Sequence, residues 1–185
     1  MIVDVPELSF LMVDGIGDPN TSPDYVGAVE ALFAVSYRVK FAVKRGTKRI
    51  DYGVMPLEGL WWVDDMSTFS LEDKSSWSWT AMIMQPDVVT DELVRRSILE
   101  GSEKKPLLGA AKLRFERFGE GLAAQIPHTG PYSAEGPTIE QLHAFIEEAG
   151  HRPRGKHHEI CLSDPSRADP AKLRTIIRHP IASPP

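Results

Sequence analysis

Lys156–Leu162, reading KHHEICL, gathers two adjacent histidines, a carboxylate and the single cysteine of the chain. In an extended segment the side chains alternate. His158, Ile160 and Leu162 share one face, and His157, Glu159 and Cys161 share the other. Ile160 and Leu162 are expected to face the helices and the core, which sends Glu159 to the opposite sheet face. Two readings of Glu159 stay open at this point: an exposed carboxylate on a wet antiparallel face, or a carboxylate at the floor of a ligand groove. In the second case desolvation would raise its pKa and let it take a proton from an attacking water.

Other chemistries find little support. His157 and His158 point to opposite faces and cannot chelate one ion together. His128, His143, His151 and His179 lack ligand spacing, so no metal site is expected. Cys161, alone in the chain, excludes an intramolecular disulfide and a multi-thiolate zinc site, and without an orienting base it reads as a small packing residue. No Gly-x-Ser-x-Gly elbow is present. Gly15-Ile16-Gly17 lacks the third glycine and following helix of a dinucleotide fingerprint, so no cofactor is expected.

The four tryptophans fall in two segments, Trp61-Trp62 and Trp77/Trp79. Trp61 and Trp62 must point to opposite faces, so the core can claim one of them. Trp77 and Trp79 share a face and can fill the core together. An uncovered indole forgoes about 1.5–3 kcal/mol of burial, so a small ligand or partner is expected over any that leaves the core.

These residues need a frame. Leu8–Val13 reads as a strand. Ser22-Pro23-Asp24 opens an amphipathic helix that Gly46 ends. Strands are predicted over Asp51–Met55, Leu57–Val63 and Trp77–Met84, with a polar loop over Asp64–Ser76. A helix runs from Thr90 to about Glu100, and Glu103–Lys112 reads as a surface connection or short helix end. Gly121–Pro127 is a strand, Thr138–Ala149 a helix, Lys156–Leu162 a strand. After a helical turn at Asp169-Pro170, Leu173–Ile177 is the last strand. The order strand, helix, strand, strand therefore occurs twice, about 1–85 and 86–185, within one domain. This α+β fold of two pseudo-symmetric modules with antiparallel sheets can hold a central ligand cleft.

With 185 residues, 42% of them hydrophobic, the chain can bury a full core, and its 21 basic against 26 acidic residues give a net charge of −5. That charge disfavours direct nucleic-acid binding. No apolar run approaches the roughly 20 residues that span a bilayer, so no membrane partner and a cytoplasmic location are expected.

The segments VDGIGDPN, YGVMPLEGLWWVDD, WTAMIMQPDVVT, HTGPYSAEGPTIEQLHAFIEEAG and RGKHHEICLSDPSR resemble the GyrI-like small-molecule-binding family over nearly the whole chain. The likeness is closest to its stand-alone bacterial branch of cyclopropanoid cyclopropyl hydrolases. The resemblance implies a groove between the modules with a buried carboxylate at its floor, for a polycyclic or cationic hydrophobic ligand. Glu159 falls on that carboxylate position, and Tyr132, in HTGPY, on a groove-facing tyrosine. These two are the catalytic candidates. Trp61 and Trp62 match a groove-marking pair, and Phe10, Met12, Trp79 and Cys161 complete the expected ligand contacts. Cys161 stands where relatives commonly carry Tyr. The resemblance further implies detoxification of cyclopropane-bearing DNA alkylators and antibiotic resistance, and no DNA-binding partner domain; many relatives carry a longer stretch before the first strand, so whether a short basic leader is missing here is left open. A non-catalytic drug-sequestering module and a gyrase-type inhibitor are the alternatives. Oligomeric state is left open.

Overall fold

The computed structural model describes residues 1–70, 73–104, 109–165 and 167–183. Among these, the elements in chain order are β1 (Ile2–Val5), β2 (Leu8–Ile16), α1 (Pro23–Arg45), β3 (Leu57–Trp62), β4 (Ser78–Gln85), α2 (Asp91–Lys104), β5 (Arg114–Phe118), β6 (Gly121–Thr129), α3 (Gly136–Glu148), β7 (Arg152–Pro153), β8 (His157–Cys161) and β9 (Arg174–Ala182). α1 begins as its residues dictate: the Ser22 hydroxyl accepts from the Tyr25 amide, Pro23 sits in the first turn, and Gly46 follows the last. Ala28, Leu32, Val35, Val39 and Val43 form its buried stripe. No described helix is long and apolar enough to cross a membrane.

The strands form one antiparallel sheet in the order β1-β6-β9-β8-β3-β4-β2-β5, with β7 added to β9. The order strand–helix–strand–strand does occur twice, as β2-α1-β3-β4 and β6-α3-β8-β9, and the two sets meet where β3 pairs with β8. The α+β architecture expected from the sequence is therefore present. β1 runs into β2 through Pro6-Glu7 yet pairs with β6, and β5 runs into β6 through Gly119-Glu120 yet pairs with β2. The leading strands are exchanged between the two sets, and the exchange curls the sheet into a half-barrel. Gly119 permits the crossing: a Cβ there would lie 3.1 Å from the Glu7 Cα.

Both faces of the curled sheet are buried. On the helix-bearing face, Leu11, Val13, Trp61, Trp79, Ala81 and Ile83 pack against α1, and Ala124, Ile177 and Ile181 pack against Leu142 and Ile146 of α3. Inside the curl, Phe10, Met12, Leu60 and Met82 form a third cluster.

This double burial overturns one sequence expectation. Directly paired residues share a face, and Glu159 pairs with Gly59 on β3 and Ile177 on β9. Ile177 packs against α3, so Glu159 lies on the helix-bearing face. Ile160, paired with Glu58 and Ile176, points inside the curl instead, and Leu162 is 44% exposed. Other differences are smaller. Asp51–Met55 forms no strand. β1 and β5 were not anticipated, because their alternation is short and mixed with charge. Of Glu103–Lys112, the start belongs to α2, Ala110–Lys112 forms a 3-10 turn, and 105–108 lie outside the described residues. β2 and β9 run longer than expected.

Candidate functional site

Glu159 sits at the centre of the sheet, in the gap between α1 and α3. Its strand neighbour His157 shares the face. The His157 Nε2 lies 3.0 Å from Glu159 Oε1, and its Nδ1 lies 2.8 Å from His179 Nε2 on β9. Burial, with the neighbouring histidines, holds His179 down at about 2, so it is neutral. The contacts are satisfied when His179 donates to His157 and His157 donates onward to Glu159.

A second carboxyl enters from α3. Glu135 precedes the first turn of that helix, makes no capping bond with its side chain and is 1% exposed. Its carboxyl lies within 4.8 Å of that of Glu159. Two carboxylates this close cannot both ionise in a buried site. Burial pushes Glu135 up to about 9, reinforced by the Glu159 charge. Burial also opposes a charge on Glu159, but His157, the neighbouring Glu135 carboxyl and the Lys74 ammonium outweigh it and hold Glu159 below the ordinary carboxylate range. The pair thus shares one proton. The expectation of a raised Glu159 pKa is reversed, because its hydrogen-bond donors outweigh its desolvation.

Aromatic groups enclose the pair. Gly59, directly opposite Glu159, has no side chain to displace, and the Trp61 indole occupies the space a Cβ would need, with Cζ2 2.5 Å from that position. The Trp61 ring therefore flanks Glu159. Tyr25 of α1 meets Trp61 at 5.7 Å and Trp79 at 5.1 Å between ring centroids. Phe69 stacks on Trp77 at 4.6 Å and reaches His157 at 5.8 Å, and Lys74 sits 4.8 Å from the Trp77 centroid. Burial raises both the Tyr132 hydroxyl and the Cys161 thiol, the thiol to about 12. Cys161 is a neutral, half-buried part of the wall.

The structure thus brings Glu159, Tyr132, Trp61, Trp79 and Cys161 to one face. It does not bring Trp62, Phe10 and Met12 there. Phe10 and Met12 fill the inside of the curl, and Trp62 packs there too, with the Lys156 ammonium 3.3 Å from its ring centroid. Strand parity separates them from Glu159. Sequence reasoning missed Glu135, His157, His179 and Tyr25 as site members. The motif containing Tyr132 also contains Glu135, whose place before a helix reads as an ordinary cap. Tyr25 reads as core stripe.

Glu135, His157 and Glu159 each offer a ligand atom within 4.8 Å of the others. Linear spacing could not reveal this group, since α3 supplies one member. Both His157 nitrogens are engaged in hydrogen bonds, so an ion would have to displace the His157–Glu159 contact.

A half-barrel with a buried, proton-sharing carboxyl pair under an aromatic wall defines a small-molecule receptor fold, and the chain belongs to the GyrI-like small molecule binding domain family, whose pattern matches residues 1–182. The chain is similar to an uncharacterized conserved protein from Listeria innocua at 40% identity and a TM-score of 0.90, covering 98% of this chain and 91% of that one. It is also similar to a hydrolase from Listeria innocua at 39% identity and a TM-score of 0.87, with the same coverage. The C-terminal domain of EcmrR, at 13% identity and a TM-score of 0.60, shares the fold, over 100% of this chain and 97% of that one. No curated protein matches the sequence.

Proposed function

We propose that the chain is a hydrolase that opens the cyclopropane of flat, polycyclic, DNA-alkylating natural products. The single observation that carries this reading is the proximity of two buried carboxyls, Glu159 and Glu135, within 4.8 Å of each other beneath aromatic rings, close enough to share one proton and so to act as base and acid. The Listeria relative at 39% identity described as a hydrolase supports it.

In this mechanism the ionised Glu159 takes a proton from water as its oxygen attacks the strained ring carbon. The carbon–carbon bond of the cyclopropane breaks, and its electron pair moves into the conjugated carbonyl to form a phenolate. The Glu135 carboxyl or the Tyr132 hydroxyl returns a proton to that oxygen. His157, itself supported by His179, positions the Glu159 carboxylate and preserves its charge. Trp61 and Tyr25 hold the flat body away from the reacting carbon, which supplies binding energy for orientation.

A sequestering module is the second reading, favoured by the same buried negative charge on Glu159, which would serve as counter-charge for a hydrophobic cation. Turnover separates the two. Incubated with a large excess of a cyclopropane-bearing alkylator, the protein is expected to yield many equivalents of ring-opened alcohol. Product that stops at one equivalent establishes sequestration instead.

A further inference from the structure

The stripe of α1 that includes Leu32, Val35, Val39 and Val43 is buried against the sheet. At helical spacing on the opposite side stand Val26, Tyr37 and Phe41, which are 56%, 49% and 41% exposed. Tyr37 and Phe41 stack with their ring centroids 6.5 Å apart. The Lys40 ammonium lies 5.6 Å from the Phe41 centroid, and the Arg45 guanidinium lies 5.5 Å from it. Asp51 accepts from Lys44 at 2.7 Å and pairs with Lys40 at 3.5 Å. These bonds fold the chain after Gly46 back along the helix, and Ile50, 42% exposed, returns to the same end.

Charge is segregated to the same place. Residues 31–50 hold six of the 21 basic residues of the chain, Arg38, Lys40, Lys44, Arg45, Lys48 and Arg49, and none of its 26 acidic ones. In a chain of net charge −5, the C-terminal half of α1 is a basic island. A single exposed aromatic side chain is ordinary. A stacked pair flanked by cations suits a partner that is apolar and anionic at once.

Candidate partners differ in what they offer each part of that surface. A second copy of the same patch would set cation against cation. Duplex nucleic acid supplies phosphates, but its backbone presents no apolar layer to Tyr37, Phe41 and Ile50. An acidic peptide matches the cations, but a convex helix face gives it no groove to fill. An anionic bilayer supplies both, with phosphates at the level of the cations and acyl chains just beneath. Such a contact lies along the surface and needs no spanning helix.

We propose that the C-terminal half of α1 docks peripherally on a bilayer containing anionic phospholipid. Tyr37, Phe41 and Ile50 enter the interface, and the surrounding lysines and arginines meet headgroup phosphates. The docking does not depend on the reaction proposed for Glu159.

The test sediments the full chain with vesicles of phosphatidylcholine alone and of phosphatidylcholine mixed equally with phosphatidylglycerol. Partitioning onto the mixed vesicles is expected to be about tenfold stronger and to weaken as salt is raised. Phe41→Ser is expected to weaken it about tenfold, and Lys44→Gln combined with Arg45→Gln by a similar factor. Leu99→Ser, at a position 68% exposed on α2, is the control and is expected to change nothing. Circular dichroism reports whether each variant is folded, and should Phe41→Ser fold poorly, the double variant carries the test. The proposal is overturned by any of these: equal binding to both vesicle types, no sedimentation with either, undiminished binding in either folded variant, an equal loss in Leu99→Ser, or duplex DNA bound more tightly than vesicles through the same residues.

Discussion

The two faces of β8 carry the same ingredients, histidine and glutamate, and put them to opposite uses. On the helix-bearing face Glu159 and Glu135 outnumber their positive partners, so they share a proton. Inside the curl, Glu58 and Glu120 are matched by His158 and Arg178. One residue of displacement along a strand separates a cluster held in electrostatic imbalance from one in balance. Buried imbalance shifts pKa values and creates reactivity, while buried balance fixes geometry.

The largest effect is expected at the unbalanced cluster. Glu159→Gln keeps shape but removes the proton acceptor, and turnover should fall by about a hundred- to ten-thousandfold with ligand binding within a few-fold. Single-turnover rates beside fluorescence titration separate the two. Near-parental turnover would remove the base and erase the contrast. The converse variant is Glu120→Ala. It strands Arg178 and half of the His158 contacts, and should lower unfolding free energy by about 3 kcal/mol, the low end for a broken buried pair, because the Arg178 side chain is 15% exposed. Urea denaturation measures this, and turnover per folded molecule should stay within a few-fold.

pH should sharpen the distinction. Turnover is expected to rise as Glu159 loses its proton below the ordinary carboxylate range, hold a plateau, and fall as Glu135 ionises at about 9. Stability should respond to His158, whose folded pKa is raised above the ordinary 6.5. Its contribution is complete below the unfolded value and is lost as pH rises through the folded one. A urea midpoint that does not fall on the alkaline side would show that His158 is uncharged in the folded protein. The smallest effect is at the rim of the inner face, where Lys156→Ala removes the cation over Trp62 and should cost about 0.5–1 kcal/mol of stability with no change in turnover.

The same contrast explains what the sequence could and could not reveal. Alternation in KHHEICL separates His157 and Glu159 from His158 and Ile160 correctly, and the caps and stripe of α1 mark that helix nearly to the residue. Alternation does not say which face a helix covers. In an open sheet, Ile160 would identify the core. In a curled sheet, both faces have a core, and Ile160 belongs to the inner one. Glu135 was hidden for another reason: its distance from Glu159 is set by the docking of α3 on the sheet, which no local pattern records. The exchanged strands β1 and β5 take their identity from partners more than a hundred residues away, such as Val5 with Gly121, so their own letters carry little signal.

That exchange also bears on how the chain folds. Neither half can complete its own sheet, since the outermost strand of each is supplied by the other, and the Val5–Gly121 and Leu8–Phe118 pairings cannot form until most of the polypeptide is in place. Long-range closure of this kind carries an entropic barrier that local helix formation does not relieve. The protein should therefore refold slowly and as one cooperative unit, and the separately expressed halves should be unstructured alone yet assemble when mixed.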